Sequence, residues 1–218
     1  MGQGRRAIIW TFSGLCLLGA GCAGARTAAG SPAATQPVPA FAHTVVLAPL
    51  SGKVLIDLAG SPGAFVRLTS RRVVPVGTVV DATAGRVGLT SANPAPYSTQ
   101  TGQFFGGIFR IEQRRADYGL VNLVIRDNLS RAVCGPAQAH TAALSHRILG
   151  LLRGTARGHF RTTGRFAAAT VRGTNWGVRD RCDGTLTVVR EGAVIVRDFR
   201  LNTNVVVRAG HTYLAMAG

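Results

Sequence analysis

Gly184-Thr185-Leu186-Thr187-Val188-Val189-Arg190-Glu191-Gly192-Ala193-Val194-Ile195-Val196 (184–196) decides the fold class. Leu186 and Val188 alternate with Thr185 and Thr187. Val194 and Val196 alternate with Ala193 and Ile195. Successive side chains of a strand point to opposite faces, so a period of two describes half-buried strands. Glu191-Gly192 separates the two runs and reads as a hairpin turn. Downstream, Val205-Val206-Val207-Arg208 closes at Ala209-Gly210.

The same period recurs upstream. In 107–112, Phe109 and Ile111 share one face, while Ile108, Arg110 and Glu112 share the other. Val121-Asn122-Leu123-Val124-Ile125 follows. Shorter runs stand at 54–56, 65–68, 73–75, 78–80 and 86–89, divided by turn formers such as Gly60-Ser61-Pro62-Gly63 and Asn93-Pro94-Ala95-Pro96. Turns spaced by roughly 8–12 residues belong to sandwiches and barrels. No repeat of fixed period is present. The expectation is an all-β, irregular sandwich or barrel-like domain of many short strands. One short helix at most is expected, over 138–153, interrupted by Gly150.

The N-terminus carries a different signal. Arg5-Arg6 precedes an apolar run from Ala7 to Ala20, followed by small residues. A basic start, an apolar stretch and a small-residue site make an export signal, here residues 1–25. Gly19-Ala20-Gly21-Cys22 resembles a lipobox, which would make Cys22 the lipidated first residue and anchor the protein to a membrane. The family usually has Leu, Val or Ile where Gly19 stands. Ala23-Gly24-Ala25 offers ordinary cleavage instead, an uncleaved anchor is a third reading, and Arg5-Arg6 also fits a twin-arginine signal. Residues 26–43 are small, proline-bearing and almost uncharged, the composition of a flexible linker. Residues 44–218 are long enough for one domain with a sizeable core.

The formal charge is +16, and loss of Arg5 and Arg6 leaves +14. Lys53 is the single lysine. Arginine bias beside abundant Ala, Gly and Val is common where codons are GC-rich. The functional alternative is a basic face that docks on an anionic polymer or headgroup. The arginines are spread along the strands rather than clustered, and export makes nucleic acid an unexpected partner. Beyond Cys22 the cysteines are Cys134 and Cys182, and an oxidising compartment favours a disulfide between them. Closing that loop contributes about 4 kcal/mol in the chain-entropy view.

Residues 164–213 resemble the exported domain of the FecR family. Ala168-Ala169-Thr170-Val171-Arg172-Gly173-Thr174-Asn175-Trp176 is similar to that family's "AAVRGT-x-aromatic" strand. Residues 184–196 resemble its following hairpin, 205–210 its closing strand, and Val74-Pro75-Val76-Gly77-Thr78-Val79-Val80-Asp81-Ala82 its entry element. The resemblance implies a β-rich envelope module. Anti-sigma activity is not expected to carry over, because only Met1 to Arg6 precede the apolar run. Read as residues, Gly173 and Gly192 provide turns or close backbone approach. Trp176 offers core volume and an indole N–H that needs a partner. Arg172 is expected to brace loop carbonyls or to pair with Asp180 or Asp183.

Chemistry-bearing constellations are sparse. His140 and His146 are poorly spaced for one metal, and the adjacent Ser145-His146 does not make a triad. Asp180 and Asp183 flank Cys182 in an expected turn, where paired carboxylates or a calcium site are the functional alternatives to turn capping. No metal and no cofactor is expected. Three functions follow in order: a non-catalytic envelope lipoprotein binding another envelope component, a secreted polyanion-binding protein, and an envelope hydrolase using Asp180, Asp183 and a histidine.

Overall fold

The structure is a computed structural model that describes residues 37–61, 63–126, 134 and 146–217. Cys22, the expected export signal and most of the expected linker lie outside the described residues, as do Asp127, His140 and Ser145. The domain is all-β. Its strands are β1 (Thr44–Gly52), β2 (Leu55–Asp57), β3 (Val66–Arg67), β4 (Arg72–Pro75), β5 (Val79–Asp81), β6 (Gly85–Ala92), β7 (Thr99–Phe105), β8 (Ile108–Gln113), β9 (Val121–Arg126), β10 (Ile148–Thr163), β11 (Ala167–Arg181), β12 (Gly184–Glu191), β13 (Ala193–Asp198), β14 (Thr203–Arg208) and β15 (Thr212–Met216). A 3-10 turn spans Arg115–Asp117.

All fifteen strands belong to one hydrogen-bonded sheet, and its shape follows from one crease. The first half of β10 pairs with β7, Arg153 to Arg157 against Phe105 to Thr101. Its second half pairs with β9 in parallel, Phe160 to Thr163 against Val121 to Val124. The register slips between Ala156 and His159, around Gly158, whose φ is +120°. Opposite it Gly173 has φ +94°, and beyond that stand Gly192 at +72° and Gly210 at +81°. L side chains rarely adopt that region, so a row of glycines lets four neighbouring strand paths bend together.

The crease divides the sheet into two wings. One runs β4-β1-β6-β7, then the first half of β10, the second half of β11, β12 and β15. The other runs β3-β2-β5-β8-β9, then the second half of β10, the first half of β11, β13 and β14. Phe104 of the first wing lies 5.9 Å from Phe109 and 5.5 Å from Phe160 of the second, and 6.1 Å from Trp176. These four fully buried rings sit in a core completed by the inward aliphatic residues of both wings.

Three expectations are corrected in detail. Glu191-Gly192 is not a hairpin turn. β12 and β13 continue one path antiparallel to β11, with Asn175 opposite Glu191 and Val171 opposite Val194. Gly192 is the bulge between them, because a Gly at positive φ serves a bulge as well as a turn. The hairpin lies earlier, where Arg181 faces Gly184. The helix expected over 138–153 is not formed over 148–153, which opens β10, and 138–145 lie outside the described residues. A bulge between Ile148 and Gly150 turns both Leu149 and Leu152 inward, so a strand mimics helical spacing. Lastly, residues 40–43 of the expected linker form a turn on the domain. The Ala42 N–H donates to Gln113 at 3.1 Å, and the His43 carbonyl accepts from Val76 at 2.9 Å.

Candidate functional site

The residues singled out by sequence are distributed over several places. Trp176 is buried in the core, and its indole N–H donates to the Thr162 hydroxyl at 3.1 Å. Thr174 donates to the Glu191 carbonyl across the crease between Gly173 and Gly192. Arg172 is exposed and pairs with neither Asp180 nor Asp183, which are engaged elsewhere. Asp180 is fully buried. It accepts from the Arg165 N–H at 3.0 Å and the Thr185 hydroxyl at 2.5 Å, which fixes the turn into β11.

Cys134 and Cys182 are joined in a disulfide. Next to it, Arg181 donates to Asp183 through Nε at 2.7 Å and through its terminal nitrogen. This guanidinium holds the Asp183 carboxyl below its ordinary range, against the opposing effect of burial. The His146 Nδ1 lies 2.9 Å from the same carboxylate. A histidine therefore does reach one of the two acids named from sequence. The carboxylate is already shared with Arg181, and Asp180 is turned into the turn network rather than toward the ring. Among the described residues no cluster has the makings of a metal centre.

A second assembly lies on the outer face of the first wing, built by register. Alternation sends Arg86, Phe105, Arg153 and Gly177 outward, and pairing sets them side by side: Arg86 against Phe105, Phe105 against Arg153, Arg153 against Gly177. Arg179 stands two residues beyond Gly177 on β11, and Arg190 comes from β12. The four arginines surround a depression of about 200 Å³. Arg86 stacks 4.0 Å above the Phe105 ring, and Arg153 lies 6.0 Å from the same ring. Among the described residues no carboxylate lines the depression. Its floor is open at Gly177 because that residue lacks a side chain. A Cβ there would meet its nearest atoms at 3.5 and 3.7 Å, so the fold does not demand the glycine.

Stacked guanidiniums keep their N–H edges free, and each presents a planar fork that matches a carboxylate or phosphate. Four such groups held together without a counter-charge repel one another, and an arriving anion relieves that repulsion. No family model, no curated protein and no solved structure matches the chain. The chemistry of this depression therefore has to carry the functional reading. Sequence reasoning missed it, although one signal was present: Arg153-Gly154-Thr155-Ala156-Arg157 and Arg179-Asp180-Arg181 place arginines at strand period on the solvent side.

Proposed function

We propose that the chain is a non-catalytic module of the cell envelope that binds an anionic envelope component on the outer face of its first wing. The observation that carries this reading is the depression walled by Arg86, Arg153, Arg179 and Arg190, with no carboxylate among the described residues that line it. It favours the polyanion-binding alternative over docking on an unspecified envelope protein. Export rests on Arg5-Arg6, the apolar run and the Cys22 lipobox, and the Cys134–Cys182 disulfide suits an oxidising compartment. The FecR-like motifs fit the same setting, since that family's exported domain works in the envelope.

Two measurements test it. The purified chain is loaded on an acidic polymer matrix at low ionic strength and eluted with salt. An R153A/R179A variant elutes at clearly lower salt than an R67A/R208A variant of identical net charge, because charge placement rather than charge number governs the binding. Equal elution, or no retention at all, overturns the reading. For the anchor, a Cys22→Ala variant moves from the membrane fraction to the soluble fraction; unchanged fractionation removes the lipid anchor.

His146 beside Asp183 gives the hydrolase reading its one supporting contact. His146→Ala abolishing turnover of any envelope polymer would establish it.

A further inference from the structure

The arginine depression does not end at Thr155. That residue also lines a second, larger depression of about 530 Å³ on the same face. Register explains the continuity. One row of outward positions crosses the strands as Asn175, Thr155, Gln103, Gly88 and Ala48. The arginine row lies on one side of it. On the other side lies Arg157, followed across the sheet by Thr101, Thr90 and Val46. Arg153 and Arg157 are four residues apart on one strand, about 13 Å.

The middle row differs from its flanks in chemistry. Asn175 and Gln103 carry amides and Thr155 a hydroxyl, and each of these groups both donates and accepts hydrogen bonds. Gly88 and Ala48 supply almost no side chain, which lowers the floor. At Gly88 a Cβ would first meet the Leu50 side chain, in ordinary contact at 3.5 Å. A lone phosphate needs donors only. A chain that carries hydroxyls between its acidic groups uses donors and acceptors in alternation, flanked by cations at intervals.

We infer that this face binds an extended acidic polysaccharide, with one carboxylate in the arginine depression and the sugar rings lying along the Asn175–Thr155–Gln103–Gly88 row toward Arg157. The inference rests on the anion-binding reading above and adds the class and direction of the ligand. A monosaccharide acid fills the first depression alone. A longer chain reaches the polar row and the second cation, and its affinity rises accordingly.

Titration calorimetry of the full chain with oligogalacturonates, from monomer to hexamer, tests this. The hexamer binds at least tenfold tighter than the monomer. Gly88→Leu fills the row and brings hexamer affinity down toward that of the monomer, leaving monomer binding unchanged. Gln103→Leu, at an exposed position, acts in the same direction and serves if the first variant folds poorly. Arg153→Ala weakens every oligomer by about tenfold, the scale of one charged hydrogen-bond contact. Affinity independent of length, or unaffected by both row variants, overturns the polysaccharide inference while leaving anion binding in place. Absence of binding to every oligomer and to inorganic phosphate overturns both. Tighter binding to phosphatidylglycerol vesicles than to the hexamer would identify a lipid surface instead and also overturn it.

Discussion

Gly192 and Gly177 both lack a side chain, for unrelated reasons. At Gly192 the backbone has φ +72°, and a Cβ would press on Thr174 at 3.1 Å and 3.2 Å. Gly192→Ala is expected to destabilise the domain by about 1–2 kcal/mol from backbone conformation alone, seen as a lower urea midpoint. Gly177→Ala meets ordinary contacts and should stay within about 0.5 kcal/mol of the parent. From sequence the first glycine was legible as special and the second was not. Positive φ leaves a motif of turn-like residues around it, whereas an open floor leaves none.

Acid sensitivity belongs to the same scale. Asp183 is lowered chiefly by Arg181. Burial would raise Asp198, but hydrogen bonds from the Leu201 N–H and the Tyr213 hydroxyl, each 2.9 Å, together with the Arg200 N–H and charge, outweigh it and lower it. Both carboxyls bind protons more weakly folded than unfolded. Their stabilisation is therefore present above the ordinary value of 3.8 and is lost as pH falls through the folded values beneath it. Thermal melts from pH 6 to pH 2 should show Tm falling most steeply below about pH 4, and D198N should flatten that fall. Tyr213 is raised by burial and by Asp198, so its share persists until alkaline pH.

Elements were read well where a strand keeps strict alternation and poorly where it bulges. The runs read at 107–112 and 121–125 correspond to β8 (Ile108–Gln113) and β9 (Val121–Arg126), with Phe109 and Ile111 inward as the period demanded. The misreadings at 148–153 and 191–192 share one cause. An extra residue in a strand shifts the inward set by one position, which resembles a helix in one case and a loop in the other. The element most dependent on a covalent link is the turn between β11 and β12. Cys182 holds Cys134, the Cys182 N–H donates to the Arg147 carbonyl at 3.2 Å, and Asp183 meets His146. Cys134, His146 and Arg147 are thus all fastened to the same turn. A C134S/C182S variant should lose about 2–4 kcal/mol in denaturant titrations.

At the scale of the whole molecule, the site illustrates why single-chain reading stops where it does. Arg86 and Arg190 are separated by most of the domain, and only the pairing order β6-β7-β10-β11-β12 makes them neighbours. Along the chain the basic residues looked dispersed; across the sheet they converge. Export, the Cys22 anchor and the FecR resemblance were read from local motifs and stand as proposals. The arginine depression could be found only from the register.

The crease has a consequence for how the protein can be divided. Three consecutive strand paths, β10, β11 and β12–β13, run through both wings without interruption. Separating the wings would cut all three of these paths, so neither half of the sheet is a separable folding unit. Heat or urea should melt the domain in one transition, with calorimetric and van't Hoff enthalpies in agreement. A gene cut between residues 126 and 148 should yield two pieces that are unfolded apart and regain the sheet only when mixed. Evolution could therefore lengthen the connections of this domain, but could not duplicate or discard a wing.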